Sequence, residues 1–203
     1  REQQKLIHKA VMNNRFNVVV AHRRMGKTVT AINELIHSAL KCPHKKPRFA
    51  YIAPTYTQAK RIAWDYLLEY TRPLKPLVNS VELSISFLNR KISLYGADGT
   101  GDSLRGIYLD GCIIDEIANI NPSMFYDIIR PALTDRKGWC MFIGTPKGNN
   151  HFKELRDRAD NKEKGWNLLE FKASETNLID AEELQMARSE MGENKYAQEF
   201  ECS

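Results

Sequence analysis

The chain has 203 residues, 42% of them apolar and 27% charged, with a formal net charge of +5. That balance excludes a disordered or fibrous chain and gives enough apolar mass for one sizeable core plus an appendage, though not for two large domains. No run approaches the roughly 18 apolar residues of a membrane span, no signal-peptide pattern opens the chain, and the positive charge permits a polyanionic partner without requiring one.

In chain order, residues 2–13 put Leu6, Ile7, Ala10 and Val11 at helical spacing. Residues 18–28 read V-V-V-A-H-R-R-M-G-K-T: a β-branched strand, a short basic turn, and Gly26-Lys27-Thr28 opening a second helix. A phosphate-binding loop needs that order. The turn's N–H groups and the helix N-terminus face anionic oxygens, Lys27 brings a cation, and Thr28 a magnesium-binding hydroxyl. The first position of the usual G-x-x-x-x-G-K-[ST] pattern is Ala21, whose small side chain still permits close approach to phosphate.

The helix over 28–40 carries an apolar face of Ala31, Ile32, Leu35, Ile36 and Leu40, and a Pro/Lys-rich loop at 43–47 ends it. Residues 48–53 read as a strand. Thr55 and Gln58 then form a capping box for a helix running to about Tyr70. A prolyl break at 73–76 precedes a predicted hairpin of strands 81–88 and 91–95, and a glycine-rich loop occupies 96–103. Residues 111–116, G-C-I-I-D-E, are a buried-type strand ending in adjacent acids. Such a strand carries Asp115 to the sheet's carboxyl edge to hold Mg²⁺, with Glu116 beside it to orient or deprotonate an attacking water.

Asn121-Pro122 predicts a helix start and W-C-M-F-I-G at 139–144 another buried strand. Strands apolar on both faces, alternating with helices, predict an α/β fold with a mainly parallel sheet covered on both sides. The division expected is a P-loop core over 1–149 and a small C-terminal helical lid or linker over 150–203. In that lid, Asp180 with Glu183 caps a helix whose buried stripe includes Met186, Ala187 and Met191. Trp64, Trp139 and Trp166 are assigned to packing. Cys42, Cys112, Cys140 and Cys202 are scattered without a C-x-x-C pair and read as reduced packing residues, not zinc ligands; the five histidines show no ligand spacing. Starting at Arg1 and stopping at Ser203 after an amphipathic stretch, the sequence reads as a fragment of a longer intracellular protein.

Four segments now stand in one order: A-H-R-R-M-G-K-T, Y-I-A-P-T-Y-T-Q-A-K at 51–60, I-I-D-E-I-A at 113–118 and F-I-G-T-P-K-G at 142–148. Together they resemble the ATPase domain of the large terminase subunit of tailed double-stranded DNA bacteriophages. The resemblance implies a RecA/ASCE-like P-loop NTPase. It would use ATP and Mg²⁺ to package double-stranded DNA into a procapsid in the host cytoplasm, with a portal protein and small terminase subunit as partners, as a homo-oligomeric ring and without a membrane. The family's second domain is a nuclease, and nothing here matches its acidic cluster.

Carried over by residue, the loop Ala21, His22, Arg23, Arg24, Met25 and Gly26 with Lys27 and Thr28 would bind the nucleotide, His22 being positional rather than catalytic. Thr28 and Asp115 would hold the metal, and Glu116 would activate water. Arg23 would stand near the γ-phosphate, Arg105 in S-L-R-G would be an arginine finger given to a neighbouring subunit, and Thr145 in G-T-P would sense the γ-phosphate. Gln4 would read adenine, with Gln3 as a rival. Lys27 and Asp115 are expected to meet at the tips of neighbouring strands. A helicase-like superfamily 2 translocase would need a second motor domain for which the chain has no room; an ATP-binding assembly switch without turnover is the other alternative.

Overall fold

The computed structural model describes residues 1–98, 101–148 and 150–203; part of the glycine-rich loop expected at 96–103, and the expected boundary residue Asn149, lie outside the described residues. The strands are β1 (Phe16–Ala21), β2 (Arg48–Ala53), β3 (Leu77–Asn79), β4 (Ser84–Phe87), β5 (Arg90–Gly96), β6 (Gly111–Ile114), β7 (Trp139–Gly144) and β8 (Trp166–Phe171). They form one sheet in the order β3-β4-β5-β2-β6-β7-β1-β8. From β5 to β8 every pairing is parallel, and only the β3-β4-β5 edge is antiparallel.

Burial explains the parallel part. All six residues of β1 and all four of β6 are buried, so both faces must be covered, which crossover helices achieve. Alternate side chains feed two cores. Val19, Tyr51, Ile113, Met141 and Ile143 pack on one face with Ile32 and Leu35 of α2 (Lys27–Lys41) and Ile7 of α1 (Glu2–Asn13). Val18, Val20, Ile52, Ile114 and Phe142 fill the other. The hairpin closes because Leu88 and Asn89 both take positive φ (48° and 62°), the backbone of a tight primed turn.

The helix expected after Thr55 runs over 56–71, as α3 (Tyr56–Ala59), a wide π-type turn (Lys60–Trp64) and α4 (Asp65–Thr71). The Thr55 hydroxyl oxygen accepts from the Gln58 N–H (3.1 Å), the cap its sequence predicts. Asn121 caps the helix over 122–132 by accepting from the Ser123 N–H (3.0 Å); the helix continues through Met124–Ile129 into α5 (Arg130–Ala132).

The segment expected as a helical lid starts with core structure. α6 (His151–Asp160) buries Phe152, Leu155 and Ala159, and β8 pairs with β1 along its whole length. Trp166 stacks between Phe16 (4.9 Å) and Phe142 (5.7 Å), with Arg158 over its ring (4.3 Å), and this aromatic column docks β8. The purely helical part begins at α7 (Ala173–Thr176) and continues through α8 (Ala181–Met191) and α9 (Glu193–Phe200). Asp180 caps α8 by accepting from the Glu182 and Glu183 N–H groups (3.0 and 3.4 Å). The buried stripe predicted for α8 is not there. Met186 and Met191 are exposed and no residue of this helix is buried, because α8 stands off the sheet.

Candidate active site

The parallel strands deliver three loops to one edge. β7 lies between β1 and β6, with Val20 opposite Gly144 and Ile114 opposite Phe142, so the loops after Ala21, Ile114 and Gly144 leave the sheet side by side. Lys27 and Asp115 are therefore not on neighbouring strands, as the sequence reading expected. The strand ending in Gly144-Thr145 is inserted between theirs.

The loop after β1 is shaped by its backbone. Arg24 and Gly26 take positive φ (65° and 89°), and Gly26 leads directly into α2. Ala21, His22 and Met25 are buried. The Lys27 ammonium donates to the Ala21 carbonyl (3.1 Å), which holds it over the loop. Burial and the nearby Lys27 charge hold His22 below its ordinary pKa, so its ring is neutral. Its Nδ1–H donates to the Arg23 carbonyl, and Nε2 accepts from the Thr176 hydroxyl (2.9 Å). His22 thus fastens the loop to α7 with its side chain. Arg23 is tied to α9 twice: its backbone N–H donates to the Glu199 carbonyl (3.2 Å) and its Nε to the Glu199 carboxylate (2.5 Å).

Asp115 is buried at the tip of β6. Its backbone N–H donates to the Ile52 carbonyl (2.8 Å), and its carboxylate accepts from the Glu116 N–H (2.8 Å) and the Tyr51 hydroxyl. Burial pushes the Asp115 pKa up, and the Tyr51 bond and the Lys27 charge counter it. Burial and the Asp115 charge raise the Glu116 pKa, whereas Lys27, Lys147 and Arg23 lower it. A carboxylate held above its usual range beside several cations suits a general base. Glu116 has φ 50°, which turns the chain out of the strand. Thr145 is buried beyond β7, and a Cβ on Gly144 would stand 3.1 Å from Phe152 and 3.2 Å from Ile117, so glycine keeps this strand end closely packed.

A cleft of about 760 Å³ opens beside the loop, lined by Arg1, Gln4, Arg24, Gly26, Leu178 and Asp180 among others. Gln4 faces this cleft, while the Gln3 amide makes a long contact to the Thr176 carbonyl (3.5 Å). Arg105 is not brought to the cluster in this chain. It follows the turn Asp102–Leu104, is exposed, and lies 3.5 Å from Asp102.

Sequence reasoning missed Tyr51. Its phenol is buried in β2 and bonded to Asp115, one of the two expected magnesium-holding residues. Burial and the adjacent Asp115 carboxylate push its pKa far upward, so it acts as a hydroxyl donor. A tyrosine inside an apolar strand gives no sequence signal beyond one polar atom in a buried run. The donor set of Thr28 and Asp115, an uncharged oxygen and a carboxylate beside a phosphate-type loop, suits a hard cation held chiefly by phosphate oxygens. Tyr51→Phe leaves the fold intact and is expected to weaken magnesium-dependent nucleotide binding by about 10- to 100-fold, the usual cost of an outer-shell partner. Titration with nucleotide at fixed magnesium, with and without chelator, checks this.

Loop, inserted strand and paired acids together give the ASCE-type P-loop α/β fold. The family model described as terminase large subunit, T4likevirus-type, N-terminal, matches residues 19–203, and the chain belongs to that family. It is 30% identical over 170 residues to the large terminase subunit of Thermus phage G20c, an alignment covering 73% of this chain and 34% of that protein. With the large terminase subunit of Escherichia phage T5 it shares 24% identity over 196 residues, covering 93% and 44%. The chain thus spans between a third and a half of the length of these relatives. In fold it is similar to the large terminase ATPase domain of Thermus phage P74-26, with TM-score 0.87, 22% identity and coverage of 100% and 93%. It also matches the large terminase of another thermophilic bacteriophage, solved in complex with ATP-gamma-S, at TM-score 0.78, 17% identity and coverage of 100% and 52%.

Proposed function

We propose that this domain hydrolyses ATP with magnesium and that the hydrolysis drives double-stranded viral DNA into a procapsid. One observation carries the reading: the loops bearing Lys27 and Thr28, Asp115 and Glu116, and Thr145 leave one edge of the parallel sheet side by side, with the buried Asp115 carboxylate fixed there by the Tyr51 hydroxyl. Family membership supplies the packaging context.

In this reading the N–H groups of Arg24, Met25 and Gly26 and the N-terminus of α2 hold the phosphates, those of His22 and Arg23 being bonded to the Phe171 and Glu199 carbonyls, and Lys27 supplies a cation to the β- and γ-phosphoryl oxygens. Thr28 and Asp115 hold magnesium, which neutralises charge on those oxygens when bound. Glu116 orients the water and takes its proton, Arg23 faces the γ-phosphate side, and Gln4 meets the base in the adjoining cleft. Thr145, packed between the β1 and β6 tips, registers loss of the γ-phosphate. Arg105 serves the site of a neighbouring subunit in a homo-oligomeric ring. The core runs past the expected boundary at 149 to the end of β8, and the helical segment from α7 onward is the lid and linker toward a nuclease domain. The ring works in the host cytoplasm with a portal protein and the small terminase subunit.

Lys27→Ala tests the phosphate site. It is expected to remove detectable nucleotide binding and turnover together, read by fluorescent-nucleotide titration and phosphate release. Turnover absent from the wild-type chain even at high protein concentration, with binding retained, favours the assembly-switch reading instead. Duplex DNA affinity should fall steeply with salt if this domain grips phosphates; salt-insensitive or absent binding places the grip outside it.

A further inference from the structure

At the opposite end of the sheet from the phosphate loop, the α2–β2 connection folds over the start of β6. There the Asp110 carboxylate, buried to 2% exposure, gathers three donors: the His44 Nδ1–H at 2.6 Å, the Cys42 thiol at 3.7 Å and the Arg48 backbone N–H at 2.9 Å. The first two converge on the same oxygen, Oδ1. Among the described residues, Cys42, His44 and Asp110 are a trio whose ligand atoms all lie within 4.8 Å of one another. Tetrahedral zinc with bonds near 2.0–2.3 Å needs donor separations of roughly 3.3–3.6 Å, so closure requires only small side-chain rotations.

A second observation points the same way. Cys42 and Asp110 line a cleft of about 490 Å³ whose walls include His8, Glu34 and His37. Glu34 is 5% exposed, and its Oε2 has no hydrogen-bond partner. Glu34, His37 and Lys41 fall on one face of α2, which runs into Cys42. An orphaned buried carboxylate oxygen and two further imidazoles beside a Cys-His-Asp trio are more than an isolated polar knot requires.

We propose that Cys42, His44 and Asp110 form a zinc site separate from the nucleotide's magnesium. Thiolate, imidazole and carboxylate together favour a borderline-soft ion over magnesium, and three protein ligands leave a fourth position for water on the cleft side. Binding releases the Cys42 proton to solvent, while the His44 proton moves to Nε2 so that Nδ1 can ligate. Burial and the neighbouring Asp110 charge hold the free thiol above its ordinary pKa, so the ion must displace that proton. Thiolate and carboxylate balance its charge. Arg136, 3.5 Å from Asp110 Oδ1 and donating to the Lys45 carbonyl (2.8 Å), remains in the outer shell. The ion would clamp the 42–47 loop to the start of β6. Sequence spacing hid the trio, because Cys42 and His44 stand two apart around Pro43 whereas Asp110 arrives from the distant start of β6.

The test uses the metal alone on the 203-residue chain. With Co²⁺ as probe, the wild type should give a thiolate-to-cobalt charge-transfer band that stoichiometric zinc abolishes and a large excess of magnesium does not. Cys42→Ser should remove the band. His44→Ala, at a half-exposed ring whose loss spares the core, should weaken zinc by more than the roughly 10- to 100-fold typical of an outer-shell partner, measured against a chromogenic chelator. Zinc should also raise the melting temperature of the wild type and not that of His44→Ala. No charge-transfer band in the wild type, a band that survives Cys42→Ser, or unchanged zinc affinity in a folded His44→Ala would each overturn the site.

Discussion

Arg105→Ala is expected to lower ATP turnover of the assembled domain by about 10³- to 10⁵-fold, the range known for arginine fingers, with nucleotide affinity nearly intact. The side chain stands 58% exposed after a short turn, and its contact with Asp102, itself 76% exposed, is 3.5 Å long. Such a surface pair holds its partners weakly, so in the proposed ring the guanidinium would leave Asp102 for another subunit's phosphate site, and the isolated domain should be slow. The decisive measurement mixes Arg105→Ala with Glu116→Gln subunits under assembly conditions. If the finger acts in trans, some interfaces combine an intact arginine with an intact base and activity returns; a mixture as dead as its components removes that role.

Glu116→Gln conserves side-chain size and removes the proposed base. Turnover should drop by about 10²- to 10⁴-fold while nucleotide binding persists, seen as retained titration of a fluorescent analogue with phosphate release lost. The same residue sets a pH dependence. Burial and Asp115 raise the Glu116 pKa, so its basic form is present only above that raised value, and kcat/KM should fall as pH drops through it. The acid limb should therefore begin above the ordinary carboxylate range. An acid limb at the ordinary range, or turnover undiminished in Glu116→Gln, would move the proton to another acceptor.

Much of the architecture is legible in the residues. Strands 48–53 and 139–144 fall where the sequence reading put them, because every residue after the first of each is buried and the apolar run is unbroken on both faces. β8 escapes that reasoning: W-N-L-L-E-F mixes polar and apolar residues, and only its stacking on Phe16 and Phe142 reveals it as sheet. β3 is too short to carry a period, and Leu77 on it is exposed. The α8 methionines show the converse, since amphipathic spacing does not guarantee a surface to cover it. At the site, local order exposes the loop and the paired acids because their chemistry is contiguous. Tyr51, Glu199 and Thr176 stay hidden because their roles arise only when β2, α9 and α7 meet the loop in space.

The double hold of Glu199 on Arg23 has a mechanical consequence. Main chain and side chain of one loop residue close on one residue of α9, while His22 closes on α7 beside it. Any displacement of the phosphate-binding turn must carry α7 and α9 along or break these bonds, so in the proposed motor a movement at the nucleotide pocket would be passed on through a stiff lever instead of a slack tether.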